Sequence, residues 1–160
     1  MVVAIMGILT GAAAPMFRNS LEGRVLDDAA KQLEDMLRYA RSVAVERSAV
    51  SRLMFDPETG IVAFSVEIDP LNAPGTFSEE LLPSRWNQRT RQKVHITSIQ
   101  KHVPEGTQEE NLIEFQPDGS TAETMIYISD AKERVYTLAL LGLTGQVMRW
   151  NHFVENFYAP

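Results

Sequence analysis

Five cations and one indole fall within seventeen residues of this chain, with no acid among them: Arg85, Trp86, Arg89, Arg91, Lys93 and Lys101. The segment carries +5 in a chain of formal net charge −6, which leaves −11 for everything else. Cations beside an aromatic face can follow a phosphate backbone while the ring stacks a base. The same set can dock an acidic partner, or be a solvated strand that neutralises nearby acids. Read as a strand, the segment puts Arg91, Lys93 and His95 on one face with Trp86 beside them. All three readings stay open at this point.

The other residue types capable of chemistry do not converge. The chain has no G-x-S-x-G, H-E-x-x-H, P-loop or G-x-G-x-x-G. Gly142-Leu143-Thr144-Gly145 reads as a turn rather than a nucleotide cradle. His95, His102 and His152 lie at spacings of seven and fifty, which read as surface or half-buried strand positions, not a triad or zinc site. Asp56, Glu58, Asp69, Asp118 and Asp130 sit at turns, where oxygen ligands can hold Ca²⁺; without a dense D-x-D-x-D loop they read as turn caps. There is no cysteine, hence no disulfide and no thiolate chemistry. The mild acidity gives no general attraction to nucleic acid or anionic lipid. A non-enzyme is expected, with no cofactor, no metal and no small-molecule substrate.

The elements that position these residues begin with Met1 to Phe17, a run of seventeen residues without a charged side chain. Its rise is about 25 Å, just short of a hydrocarbon core of roughly 30 Å. It reads as the apolar half of a membrane helix rather than a signal peptide, because no basic region precedes it. Gly7 and Gly11 have the small-xxx-small spacing that lets helices approach closely. Pro15 predicts a kink or loosening back to Gly11. From Leu21 to Arg52 the period is helical. Leu26, Ala30, Leu33, Leu37, Ala40 and Ala44 form one apolar stripe, and Asp27, Asp28, Lys31, Asp35, Arg38 and Glu46 face away. A short break near 19–23 is one alternative; without it the helix runs to about residue 52.

Beyond the helix the period changes to two. Arg52–Phe55 reads as a short strand, Asp56-Pro57-Glu58-Thr59-Gly60 as a turn, and Ile61–Ile68 as a strand with one buried face. Asp69–Arg89, with Pro70, Pro74, Gly75 and Pro83, reads as irregular chain around a short strand or turn. Further strands are expected at Lys93–Lys101, Asn111–Phe115, Thr124–Ser129, Val135–Leu141 and Gln146–Trp150, paired antiparallel because the connectors are too short for crossover helices. Trp150 and Phe153 are expected to finish the core, with Phe157 and Tyr158 as anchors for a neighbouring subunit. The fold class is α+β: a long N-terminal helix laid on an antiparallel β-sheet domain. The expected division is 1–17, 18–53 and 54–160.

This pattern resembles the type IV pilin and pseudopilin superfamily, and within it the minor pseudopilin class called GspH/FimT. Val2 to Pro15 resembles the membrane half of that family's helix, with Gly7 and Pro15 at matching places. Arg24, Leu33, Ala40, Arg41, Ala44 and Arg47 resemble the helix that packs under the sheet. Asp56–Gly60, Ile113–Thr121 (IEFQPDGST) and Thr144-Gly145-Gln146-Val147 resemble segments that mark the class. The family's basic leader, peptidase site, N-methylated Phe and early Glu have no counterpart here. Met1 matches a position inside the helix, so an N-terminally truncated chain is expected. The resemblance implies a non-enzymatic subunit of a type II secretion filament, powered by a separate ATPase. The implied placement is a single-pass inner-membrane protein with its sheet domain in the periplasm. The implied partners are other pseudopilins or pilins, the assembly platform and membrane lipid. Gly7, Gly11, Pro15, Leu26, Leu33 and Leu37 are the candidate helix-packing residues. The alternative is a minor pilin that binds DNA for uptake through Arg85–Lys101. DNA-uptake members use basic residues near the C-terminus, where this chain has only Arg134 and Arg149, so DNA is not the expected partner.

Overall fold

The structure is a computed structural model that describes residues 2–102 and 111–155, with side chains from residue 24 onward except that of Arg89. A single helix, α1 (Val2–Arg47), runs without interruption through Pro15 and through 19–23. Its 46 residues rise about 69 Å. It stops at a left-handed Ser48, φ 51°. There the Ala49 amide reaches back to the Ala44 carbonyl at 3.2 Å, which satisfies a terminal carbonyl in the manner of a Schellman turn. The helix therefore ends sooner than the Leu21–Arg52 pattern suggests, and Ser51 and Arg52 belong to a strand.

Among the described residues no helix is long and apolar enough to cross a membrane. The expected transmembrane half at 1–17 is corrected accordingly, and with it the single-pass inner-membrane placement. The physical reason is length: seventeen uncharged residues rise only about 25 Å, and Arg18, Glu22 and Arg24 follow directly. The contacts that Gly7, Gly11 and Pro15 were expected to make lie outside the described side chains.

Eight strands form two antiparallel sheets. The first has the order β3 (Ala73–Glu80), β2 (Val62–Asp69), β1 (Ser51–Phe55), β5 (Leu112–Phe115). The second has the order β4 (Val94–Lys101), β6 (Thr124–Asp130), β7 (Val135–Leu140), β8 (Val147–Trp150). β1 sits centrally in its sheet, with Leu53 opposite Phe64 on one side and Ile113 on the other. Period-two alternation sends Leu53, Phe55, Phe64, Val66, Ile113 and Phe115 inward. Ile126, Ile128, Leu138 and Leu140 come in from the second sheet. All of them meet the α1 stripe of Leu26, Ala30, Leu33, Leu37, Ala40 and Ala44 in one continuous core. The α+β reading, with the helix packed on antiparallel sheet, holds.

The region 69–89, expected as irregular chain around a short strand or turn, contains the eight-residue strand β3, and its end runs into a short helix. β3 forms despite Pro74 and Gly75 because it is an edge strand, where a missing amide donor costs little. Gln88–Lys93 is a short helix, α2, rather than the start of a strand. Its N-terminus is capped by Asn87, whose Oδ1 accepts from the Thr90 amide at 2.9 Å.

Candidate functional site

The basic segment runs through a loop, a short helix and a strand. Arg85 is exposed in the loop before α2, and Trp86 is buried. The Trp86 indole N–H donates to the Ala29 carbonyl of α1 at 3.0 Å. A ring fixed under the helix offers no face for a base, so Trp86 is a core residue and not the expected stacking platform. Arg91 and Lys93 lie on α2, not on a strand face with His95. Trp86 and Arg91 pack against Gly60, the end of the Asp56–Gly60 turn. Arg89 also lies on α2, and its side chain is outside the described set. Lys101 closes β4, about 23 Å along the strand from Val94. The charges thus spread over a loop, a helix and the far end of a strand, and a DNA-binding stripe is not supported.

Leu26, Leu33 and Leu37, singled out for helix packing, are fully enclosed by the chain's own two sheets. His95, His102 and His152 are all exposed and stand on separate elements. Among the described residues no group of three His, Cys, Asp or Glu is placed to hold a metal. The turn acids act as caps. Asp56 Oδ2 accepts from the Thr59 hydroxyl at 2.6 Å, and Oδ1 accepts from the Glu58 and Thr59 amides. These bonds, led by the Thr59 hydroxyl, hold the Asp56 carboxyl below its ordinary value. The Asp118 carboxyl is lowered in the same way through Ser120.

The polar geometry that does converge is a clamp between α1 and the second sheet. Asp27 Oδ1 accepts from Arg149 Nη1 of β8 at 2.9 Å and from the Tyr136 hydroxyl of β7 at 3.2 Å. Lys31 Nζ lies 2.8 Å from Asp27 Oδ2, and Arg149 Nε lies 3.3 Å from Glu34 Oε2. The Lys31 hydrogen bond is the main reason the Asp27 carboxyl sits below its ordinary value, ahead of Arg149 and Tyr136. Burial pushes the Tyr136 phenol up, and the neighbouring Asp27 charge adds to it. Beside this clamp, where α1 passes the β6–β7 turn, a cavity of about 350 Å³ is lined by Val25, Leu26, Lys93, Val94, Asp130 and Lys132 among others.

A second convergence lies on the opposite side of β6 and β7. Met125, Tyr127, Thr137 and Ala139 point away from α1 and yet are buried. An antiparallel sheet packed on one face ordinarily leaves the other wet. Here residues 151–155, which follow β8, lie across it. The Tyr127 hydroxyl donates to the Val154 carbonyl at 2.8 Å, and the Thr137 hydroxyl donates to the His152 carbonyl at 2.8 Å. Phe153, expected in the core, is instead stacked on Tyr127 at 5.0 Å between centroids and remains 58% exposed. Trp150 packs partly buried against the same cluster. Phe157 and Tyr158 lie outside the described residues. The signal for this face was in the sequence, since Thr124-Met125-Ile126-Tyr127-Ile128 has no polar alternation. Such a run signals burial on both faces, but does not say what covers the second one.

A family model described as type II transport protein GspH matches residues 29–144. The match spans the packed part of α1 through the turn before β8. Among solved structures, the chain is similar to the minor pseudopilin EpsH from the type 2 secretion system of Vibrio cholerae. That similarity has a TM-score of 0.58 at 10% identity over 84% of this chain and 99% of that one. The Pseudomonas aeruginosa PAO1 type IV minor pilin FimU aligns with a TM-score of 0.48 at 17% identity, over 77% of this chain and 86% of that one. No curated protein matches at a significant level. With the family match covering most of the chain, the chain belongs to the type II transport protein GspH family and is a structural, non-catalytic subunit.

Proposed function

We propose that this chain is a minor pseudopilin-like subunit of the pilus-like filament of a type II secretion system, working by assembly rather than by chemistry. The observation that carries the reading is α1. It is about 69 Å long by rise, while the buried stretch from Leu26 to Ala44 accounts for roughly 27 Å of it. A helix several times the usual globular length suits a subunit that packs one part of its helix into its own domain and has length left over for neighbours. Family membership and the EpsH-like fold support the same reading. The partners on this reading are related pseudopilin or pilin subunits and the machinery that assembles them.

The test is deletion of the gene in its own host, followed by separate assays of protein secretion, pilus-dependent motility and DNA uptake. Loss of secretion with motility and uptake intact is the expected result. Intact secretion with loss of motility or uptake overturns the assignment to secretion. Complementation with a variant carrying Leu33→Ala controls for simple misfolding, because it weakens the domain without touching its surface.

A further inference from the structure

We propose that the cavity beside α1 binds a small amphipathic carboxylate, an alkyl chain ending in one carboxylate group, held as a ligand and not turned over. Its walls come from three distant parts of the chain. Val25 and Leu26 belong to the first packed turn of α1, Lys93 and Val94 to the junction of α2 with β4, and Ala131 and Lys132 to the β6–β7 turn. A hollow walled by three elements receives the end of a molecule more readily than a segment running through it. Its volume of about 350 Å³ lies at the small end of the range for ligand pockets. At about 30 Å³ for each water-sized group, it has room for roughly ten heavy atoms.

The lining sets the chemistry of the occupant. The side chains of Val25, Leu26, Val94 and Ala131 offer no hydrogen bond, so the body of the ligand must be apolar. Lys93, in the last turn of α2, and Lys132 bring positive charge to the same space. Asp130, the acid among the described lining residues, is already engaged. Its Oδ1 accepts from the Lys132 and Arg134 amides at 3.0 and 3.1 Å. Its Oδ2 accepts from Arg134 Nε at 2.8 Å and from Arg134 Nη2. Arg134 cancels the charge of Asp130, and the two lysines then set the sign of the cavity. Lys93 also belongs to the 85–101 segment, which carries +5 against −11 in the rest of the chain. An anion is therefore drawn to this segment and repelled elsewhere. A carboxylate suits the site better than a phosphate, because one charge costs less than two to bring against an apolar lining.

Octanoate is the probe, titrated into the isotope-labelled full-length chain at pH 7 and followed by amide chemical shifts. The amides of Val25, Val94 and Ala131 should move together and saturate with a single Kd. Each methylene added between hexanoate and octanoate should tighten binding about fourfold. Octylamine has the same chain and the opposite charge, and should bind at least about tenfold more weakly. Lys93→Gln should weaken octanoate about tenfold by removing a charged partner. Val25→Trp fills the hollow without touching either lysine and should abolish the octanoate-dependent shifts of Val94 and Ala131. The proposal is overturned if octylamine binds as tightly as octanoate, or if either variant leaves the Kd unchanged. Failure to saturate below about 10 mM octanoate overturns it as well. If circular dichroism shows Val25→Trp to be unfolded, Ala131→Phe on the exposed turn fills the cavity in its place.

Discussion

Gly145 and Gly119 meet so closely that a β-carbon on Gly145 would lie 2.2 Å from the Gly119 carbonyl oxygen. Both have positive φ, 61° and 82°, and the Arg41 side chain of α1 lies against both, its Nε donating to the Gly119 carbonyl at 3.3 Å. Two turns more than twenty residues apart in sequence are thus locked to one another and to the helix. Gly145→Ala should cost about 3 kcal/mol, because backbone strain adds to a collision with main chain that cannot move aside. Gly119→Ala should cost less, about 1–2 kcal/mol, since its new β-carbon meets the movable ends of Val45 and Arg41. Urea unfolding of both variants checks the order; equal losses would remove the turn-to-turn contact as the reason.

Trp86 should behave as a core residue in every assay. Trp86→Phe keeps most of the volume but loses the hydrogen bond to Ala29, at a cost of about 1 kcal/mol. Trp86→Ala should cost about 3–5 kcal/mol through the cavity it leaves. Iodide quenching of the native chain should reach Trp150, which is partly exposed, far more readily than Trp86. Strong quenching in a Trp150→Phe variant would contradict the burial of Trp86.

Leu33 on α1 and Leu81 in the loop before α2 offer a clean contrast. Leu33 has no exposed surface and Leu81 is 76% exposed. Leu33→Ala should cost about 2–5 kcal/mol, whereas Leu81→Ala should stay within about 0.5 kcal/mol. Thermal denaturation of the two variants side by side separates them without any assumption about function.

The Asp27 clamp makes part of the stability pH-dependent. Its carboxyl is held below the ordinary value, chiefly by the Lys31 hydrogen bond. Its contribution is therefore complete above the unfolded-state value near pH 4 and is lost as pH falls through the lower folded value. Asp27→Asn should cost about 1 kcal/mol or less at pH 7, since the group is about a third exposed. The difference from the native chain should close as the pH drops below about 4. A gap that stays constant from pH 7 to pH 3 would show that the charge plays no part.

Much of the architecture was legible in local pattern. The stripe from Leu26 to Ala44 specifies a helix with one buried face because its period matches 3.6 residues per turn. Asp56–Gly60 and Pro117–Ser120 specify turns through Asp capping and a left-handed glycine, and alternation at 62–66 specifies a strand with Phe64 and Val66 inward. Residues 88–93 misled because Asn87 and Thr90 make an N-cap that a reading for charge passes over. The extent of β3 was hidden because Pro74 and Gly75 argue against a strand anywhere but at an edge, and edge position is a property of the whole sheet.

The sequence by itself determined the kind of fold, a long helix laid on antiparallel sheet, because periodicity is a local fact. Only the tertiary structure decided which residues are surface. It buried Trp86 under α1 and put the cations of 85–101 on three elements. It also laid 151–155 over the second face of β6, which the unbroken run at 124–128 required but could not name. The physical reason is that burial depends on what arrives from distant sequence, and in this chain the covering groups lie 15 to 57 residues from what they cover.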